Sequence, residues 1–324
     1  MTAASHDIDA LRKLARGGEP RALTALGKRF LVGEGVPPAP GDGIGLLREA
    51  ASRGDAEAVA QLAVCAAWGV AQTRDIDAAL DHLERAAGLG WLPAQNELQL
   101  LAHGSGSDWP TLRRKIDVAT WTTPPAARVV RERPRVVVIE RFMSAAECRW
   151  LIQRGRPGLN RAMVYRGSSQ AHTADTRTNT EVAFTIFNAD VVLNLIRERM
   201  SSVTRAPTAF FEIAKMLHYE PGQQFALHAD FLQLNTPQLV QEVQVRGQRA
   251  ATFLVYLNDD YAGGETDFPR IGFRFKGNCG DALLFSNVDV AGAPDYDTMH
   301  AGLPPTHGEK WLLSQWIRSR PVVA

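Results

Sequence analysis

Four histidines in this chain are each followed, two positions later, by an acidic residue. The pairs are His82 with Glu84, His218 with Glu220, His228 with Asp230, and His307 with Glu309. A histidine nitrogen and a carboxylate oxygen can bind a divalent metal or act together in proton transfer. The pattern alone does not separate a site from a coincidence, so the surroundings of each pair must decide.

The pair His228 and Asp230 lies in an apolar stretch, "PGQQFALHADFLQL". If "QFALHADF" is a strand, alternation places these two side chains on one face. The opposite face would carry Leu227, Ala229 and Phe231. That apolar face can pack against a helical layer, which leaves the polar face pointing into a barrel. One nitrogen and one carboxylate ligand suit Fe(II) and leave room for a third protein ligand.

The C-terminal segment offers two histidines as the third ligand. His300 precedes a Gly-Leu-Pro turn, and Lys310 begins the final apolar strand ten residues later. His307 lies in "PPTHGEK", where proline and glycine favour a solvated loop. His300 is therefore the preferred ligand. The pair of His218 with Glu220 is a weaker alternative to His228 with Asp230, because Pro221-Gly222 ends its strand at once.

Composition excludes several classes of protein. Lysine plus arginine (36) nearly balances aspartate plus glutamate (35), so no bulk charge draws the chain to nucleic acid or an anionic membrane. The three cysteines form no Cys-x-x-Cys pair, which argues against a thiolate zinc site or a disulfide framework. With neither a signal peptide nor a run of about 18 apolar residues in the sequence, we expect a cytoplasmic protein with no membrane segment.

The first hundred residues repeat with a period of 36. The repeating columns are Gly18, Gly54 and Gly90; Ala22, Ala58 and Ala94; Leu26, Leu62 and Leu98; and Leu11, Leu47 and Leu83. A period in the thirties with alanine and leucine at helical spacing predicts stacked helical hairpins. His82 then lies within a helix, where residues two apart point about 200° apart, so His82 and Glu84 cannot share a metal.

The period changes from helix to strand after a Gly-, Ser- and Pro-rich stretch, which we interpret as a linker over 104–135. Short runs rich in β-branched and aromatic residues follow, with two helical segments among them. We therefore predict an α+β protein: an all-α helical-repeat domain over 1–103, and over 136–324 a jelly-roll barrel with supporting helices.

Both halves resemble known families. "LGKRFLVGEGV" and "LLREAASRGDAEAVAQLA" are similar to the Sel-one-like branch of the tetratricopeptide repeats, which implies a surface for protein contact; a buttress for the second domain is the alternative. From about Val136 onward the chain resembles the prolyl 4-hydroxylase branch of the Fe(II)/2-oxoglutarate-dependent dioxygenases. The matching phrases, in family order, are "KMLHYEPGQQFALHADF", "RAATFLVYLNDDYAGGETDFP", "KGNCGDALLFSN" and "HAGLPPTHGEKWLLSQWI".

This second resemblance implies a double-stranded β-helix and assigns roles to eight residues. The iron ligands would be His228, Asp230 and His300, and Lys310, Tyr219 and Thr266 would bind the distal carboxylate of 2-oxoglutarate; Trp316 and Arg249 would face the substrate. Fe(II), 2-oxoglutarate and O2 are the implied reactants, with ascorbate as a candidate reductant.

Three hypotheses follow for function. The first is a hydroxylase that inserts oxygen from O2 into an unactivated C–H bond of a proline or proline-like residue in a peptide or protein, releasing succinate and CO2. The second is the same chemistry on a free small cyclic amino acid, which the apolar stretch 232–250 favours because it suggests a closed pocket. The third is a non-catalytic interaction module, against which the intact set of ligands argues.

Overall fold

The computed structural model describes residues 3–163 and 175–322, which form two compact units. The first unit comprises Met1–Trp121 together with Ile186–Ile196, and the second comprises Thr122–Thr185 and Arg197–Ala324. None of the described helices is both long and apolar enough to cross a bilayer.

The helices are α1 (Ala3–Arg16), α2 (Pro20–Val32), α3 (Pro40–Ser52), α4 (Ala56–Trp68), α5 (Ile76–Gly88), α6 (Leu92–Leu101), α7 (Trp109–Lys115), α8 (Val118–Thr122), α9 (Ala145–Gly155), α10 (Val191–Thr204) and α11 (Pro237–Arg246). The strands are β1 (Arg128–Glu132), β2 (Arg135–Ile139), β3 (Asn160–Arg161), β4 (Thr180–Ala183), β5 (Lys215–Tyr219), β6 (Phe225–His228), β7 (Arg249–Tyr256), β8 (Ala262–Gly263), β9 (Thr266–Phe268), β10 (Phe273–Phe275), β11 (Ala282–Ser286), β12 (His300–Gly302), β13 (Pro305–His307) and β14 (Lys310–Arg318).

The helical hairpins predicted from the 36-residue period are confirmed. Helices α1, α3 and α5 end at residues 16, 52 and 88, and their partners α2, α4 and α6 begin at residues 20, 56 and 92. The turns between them contain Gly18, Gly54 and Gly90, all with positive φ, a backbone conformation that glycine adopts without strain. The alanine column is buried in all three copies, so neighbouring helices can approach closely.

A buried carboxylate ties the start of α10 to the first unit. Glu97 on α6 is 6% exposed, and its Oε1 accepts hydrogen bonds from the backbone N–H groups of Val191 (2.6 Å) and Val192 (3.1 Å). The first N–H groups of a helix have no partner within the helix, and its N-terminus favours a negative charge. This contact explains why residues 186–196 belong with the repeats although they lie far along the chain.

The second unit is the predicted jelly roll, built on two main antiparallel sheets. The major sheet has eight strands in the order β1-β2-β11-β7-β14-β5-β4-β3, and the minor sheet has four in the order β10-β9-β12-β6. The core between the sheets is apolar and aromatic; it includes Leu217, Leu254, Phe268, Phe285 and Leu312. Helix α9 begins with a capping box between Ser144 and Glu147.

The stretch from 104 to 135, which composition marks as a linker, carries regular structure. It holds α7, α8 and the edge strand β1, and Trp121 at the end of the first unit is 1% exposed. Its indole N–H donates to the carbonyl of Leu101 at 3.0 Å. Proline and glycine at the ends of these short elements explain why they give a weak helical or strand pattern in the sequence.

In the stretch after Tyr219, the sequence predicts a strand that includes Asp230 and a buried Leu227 packed on a helical layer. The structure contradicts both predictions. Strand β6 ends at His228, so Asp230 lies just beyond it, and Leu227 is 50% exposed instead of packing on a helical layer. The apolar stretch 232–250 contains a helix, α11, with Thr236 as N-cap. No residue of 232–250 is among those that line the pocket described below. The side chain of Gln248 forms two hydrogen bonds to the backbone of Leu232 and so closes this loop.

The tight turn before β11 gives a test of the packing between this turn and the start of α9. Gly280 has φ +89°, and a Cβ there would collide with the backbone carbonyl of Met143. Gly280→Ala should therefore destabilise the protein by about 3 kcal/mol or more, through a left-handed backbone and an overlap. Gly272→Ala, at φ +62° with open space around it, should cost only about 1–2 kcal/mol. Equal unfolding free energies for the two variants in urea titrations would contradict this packing.

Candidate active site

Three potential metal ligands converge between the two sheets. The pairing of β12 with β6 places His300 directly opposite His228, and Asp230 follows two residues after the end of β6. One ligand atom from each of these side chains lies within 4.8 Å of the others. His300 and Asp230 are buried and His228 is partly buried, so all three atoms face a space largely shielded from water.

Hydrogen bonds to the backbone fix which nitrogen of each imidazole can bind a metal. Nδ1 of His228 lies 2.9 Å from the carbonyl oxygen of Ala226, and Nδ1 of His300 lies 3.0 Å from that of Thr298. A carbonyl oxygen only accepts, so each Nδ1 carries a proton, and in the neutral imidazole Nε2 is the nitrogen left with the lone pair. Both Nε2 atoms lie 3.6 Å from a carboxylate oxygen of Asp230.

The carboxylate of Asp230 is held by two further residues. The hydroxyl of Thr252 donates to Oδ2 of Asp230 at 2.7 Å, and the amide of Asn287 donates to the Thr252 hydroxyl oxygen at 2.9 Å. Because the Thr252 oxygen accepts from Asn287, its single proton is free to point at Asp230. Thr252 and Asn287 are fully buried, so this chain of hydrogen bonds is shielded from competition by water.

The charge states also suit a divalent cation. Burial alone would raise the pKa of Asp230, but His300, His228 and the Thr252 hydroxyl outweigh it and hold this pKa well below the usual range. Burial and the neighbouring His228 lower the pKa of His300 to about 4. At neutral pH the cluster therefore presents an ionised carboxylate and, at His300, a neutral imidazole, the forms that bind metal.

The same pocket contains a lysine with an unusual environment. The lysine, Lys310, lines the pocket at 0% exposure. Its Nζ has no hydrogen-bond partner among the described residues, and burial lowers the pKa of Lys310 to about 7. An unpaired buried cation is costly to a fold, so the site fits a ligand that brings a negative charge.

Tyr219 and Thr266 both line the pocket near this lysine. Tyr219 faces Lys310 across the β5–β14 pair, with Nζ 5.0 Å from the ring centroid. Burial raises the pKa of Tyr219 to about 12, so its hydroxyl stays protonated and can donate. The hydroxyl of Thr266 lies 2.7 Å from that of Tyr256; Thr266 can donate to a ligand when Tyr256 donates to it.

Of the two residues predicted on the substrate side, only one reaches the pocket. Trp316 lines it, as strand alternation from Lys310 predicts. Arg249 does not: its guanidinium stacks 3.5 Å from the centroid of the Trp316 ring and forms a two-point ion pair with Glu212 at 2.8 and 3.0 Å. Its Nη1 also donates to the backbone carbonyl of Asp230 at 3.4 Å, so Arg249 holds Trp316 and the segment that carries Asp230 in place.

The three rejected histidines lie outside the cluster. His82 lies in α5, and His307 is exposed in the short strand β13. His218 lies in β5 on the face opposite to Tyr219, where its Nδ1 is 3.0 Å from the Thr180 hydroxyl. Among the described residues, none of these three histidines belongs to the cluster of potential metal ligands.

Sequence reasoning missed several residues of the site. Strand alternation could have found Lys215 and Ser314, since they lie four residues from Tyr219 and Lys310 respectively and line the pocket on the same faces. No local signal marks Thr252, Asn287 or Arg177, because their roles depend on which strands become neighbours.

Comparison with known proteins agrees with this geometry. The profile of the 2OG-Fe(II) oxygenase superfamily matches residues 214–318. Probable prolyl 4-hydroxylase 6 of Arabidopsis thaliana is 30% identical to this chain over 207 residues. The match covers 58% of this chain and 70% of that protein. The chain belongs to the prolyl 4-hydroxylase family. As a member of this family of 2-oxoglutarate/Fe(II) oxygenases it is an enzyme, and the family implies Fe(II), 2-oxoglutarate and O2 as its reactants.

Two solved structures are each similar to part of this chain. A viral collagen prolyl hydroxylase from Paramecium Bursaria Chlorella virus-1 is 27% identical with a TM-score of 0.44, covering 56% of this chain and 95% of that one. A Sel1 repeat protein from Oxalobacter formigenes is 24% identical with a TM-score of 0.30, covering 36% of this chain and 52% of that one.

Removing the hydroxyl that holds Asp230 should weaken metal binding by this hydroxylase. Thr252→Val keeps the shape of the side chain but leaves Oδ2 of Asp230 without its donor, and losses of this kind cost about 10–100-fold in metal affinity. The affinity can be measured by anaerobic titration with Fe(II) or with Co(II), whose absorption reports the ligand set. Thr180→Val, which removes the hydroxyl beside His218, is the matched control and should bind metal normally. Unchanged affinity in Thr252→Val would refute the role of this hydrogen bond.

Proposed function

We propose that this protein is an Fe(II)- and 2-oxoglutarate-dependent hydroxylase of proline or a proline-like residue, with iron held by His228, Asp230 and His300. The observation that carries the proposal is the convergence of two imidazole Nε2 atoms and an ionised carboxylate in a pocket that also contains the buried Lys310. The proline-directed substrate class is supported by the family of relatives named above.

The side chains at the two ends of the pocket would bind different groups. His228, Asp230 and His300 would hold the iron, which supplies the O2-dependent oxidation coupled to conversion of 2-oxoglutarate to succinate and CO2. Lys310 would bind the distal carboxylate of 2-oxoglutarate through a charge-assisted hydrogen bond, and the Tyr219 hydroxyl would donate to the same group. We expect ascorbate to serve as a reductant during turnover.

Between these polar ends the pocket wall is apolar. Leu217, Leu254 and Leu312 line it, and they leave little for water to hydrogen-bond. A wall of this kind strengthens the contact between Lys310 and a carboxylate, because electrostatic interactions are less screened where water is excluded. It also protects an oxidising centre from side reactions.

Loss of a ligand should abolish both metal binding and turnover. His228→Ala and His300→Ala should each lose stoichiometric Fe(II) and form no succinate from 2-oxoglutarate in the presence of proline-containing peptides or cyclic amino acids. His307→Ala, an exposed histidine close in sequence, should behave as wild type. Iron loading that persists in the first two variants would show that the ligands are assigned wrongly, and a metal-loaded wild type with no turnover on any of these substrates would contradict the function.

The affinity for 2-oxoglutarate should depend on pH through Lys310. Its pKa of about 7 means that the ammonium is charged below pH 7 and increasingly neutral above it in the ligand-free enzyme. A carboxylate binds the charged form, so the dissociation constant should be flat below pH 7 and should rise by up to about tenfold per pH unit above it. 2-Oxovalerate, which lacks the distal carboxylate, is the control. If both ligands weaken in parallel on the Co(II)-loaded protein, Lys310 does not bind the carboxylate.

A further inference from the structure

The pocket contains a second lysine, Lys215, that the roles assigned so far do not use. On β5 and β14 the side chains that line the pocket face one another in rows: Tyr219 with Lys310, Leu217 with Leu312, and Lys215 with Ser314. The first and third rows are four residues, about 13 Å, apart along the strand. Two cationic rows are thus separated by a row of leucines.

The row of Lys215 lies on the side of the pocket nearer to the metal ligands. Trp316, two residues beyond Ser314, pairs in register with Thr252, whose hydroxyl donates to Asp230. Lys310 lies three such rows away from Trp316, at the opposite end. A group bound by Lys215 would therefore sit beside the reacting centre and away from the end where Lys310 would bind the co-substrate.

The charges around Lys215 do not balance. Glu181 is the one described carboxylate that pairs with it, at 2.7 Å, and the same carboxylate also pairs with Arg177 at 2.6 Å. Two cations and one anion leave a net charge of 1 + 1 − 1 = +1. Arg177 also lines the pocket, and it lies against Phe225, which stacks on the ligand His228.

Of the two cations, Lys215 has N–H donors that no described acceptor uses. The guanidinium of Arg177 already donates to Asn179, Met163 and Glu181 and is almost fully buried. The ammonium of Lys215 has three protons and one described hydrogen-bond acceptor, and its side chain is 27% exposed. If Lys215 turned to a substrate, Glu181 would keep Arg177 as its partner, so no charge would be left unpaired.

We propose that Lys215, with the neighbouring hydroxyl of Ser314, binds a carboxylate of the substrate, so that this enzyme selects a proline-type substrate carrying a negative charge close to the carbon that is oxidised. This inference rests on the proposed function. The carboxylate could be the α-carboxylate of a free amino acid or an acidic side chain next to proline in a peptide. Both sources share the chemistry that an ammonium and a hydroxyl recognise.

The test compares substrates that differ in one charge, with succinate formation by the full-length Fe(II)-loaded enzyme as readout. One pair is L-proline and L-prolinamide, and the other is acetyl-Gly-Pro-Glu-amide and acetyl-Gly-Pro-Gln-amide. In at least one pair kcat/KM should be about tenfold or more higher for the charged member. The pair that shows the preference identifies the source of the carboxylate.

Variants then assign the preference to Lys215. Lys215→Met should bring the ratio within the favoured pair close to one, while Lys215→Arg should retain most of it. Lys115→Met, the same change at an exposed lysine at the end of α7, should leave the ratio as in wild type. Ser314→Ala should lower the ratio by less, and it provides a second route if Lys215→Met does not fold.

Two results would overturn the inference. One is a wild-type enzyme that turns over but favours neither charged substrate. The other is a ratio that survives in Lys215→Met, including the outcome in which this variant only raises the KM for 2-oxoglutarate, which would place Lys215 at the co-substrate. Absence of succinate from every substrate with the metal-loaded wild type would instead contradict the proposed function, so the two failures are distinguishable.

Discussion

The antiparallel pairing of β12 with β6 is the interaction on which the site depends. It joins two segments separated by about seventy residues and sets His300 opposite His228. Side chains directly opposite in such a ladder are about 5 Å apart, a distance that two ligands of one metal require. A shift of one residue in this register would turn one histidine to the other face of the sheet and destroy the cluster.

The minor sheet supplies the ligands, whereas the major sheet supplies what holds and surrounds them. Thr252 on β7 and Asn287 just after β11 fix the Asp230 carboxylate, and hydrogen bonds to carbonyl oxygens fix both imidazoles. Each ligand thus has a hydrogen bond that sets its orientation before any metal arrives. Such preorganisation reduces the entropy lost when a metal binds, and it selects the nitrogen that coordinates.

Lys310 lowers the stability of the fold. A lysine at 0% exposure with no described hydrogen-bond partner lowers stability, and a leucine of similar volume would pack there without loss. The cost is understandable if a ligand carboxylate completes the environment of the ammonium. This energetic cost therefore supports the binding of an anion at Lys310.

Local sequence determined much of this protein, because helix and strand periods and the turn residues act over short distances. The 36-residue period predicted the stacked helical hairpins, and alternation along the final strand is enough to place Lys310 and Trp316 on one face. The types of the ligands could also be predicted, since few apolar strands carry a histidine and an aspartate. The exposure of Leu227 and the end of β6 at His228 could not be, because they depend on which elements cover that strand.

Only the tertiary structure decided the partners of the site residues. Thr252, Asn287 and Arg177 carry no local mark of their contacts. Arg249, which resemblance placed toward the substrate, pairs with Glu212 and stacks on Trp316. The apolar stretch 232–250 likewise contains a helix, is closed by Gln248 and does not line the pocket. Sequence determines which groups are available for chemistry, but strand order and register determine which of them meet, since neighbours in a sheet can lie seventy residues apart in the chain.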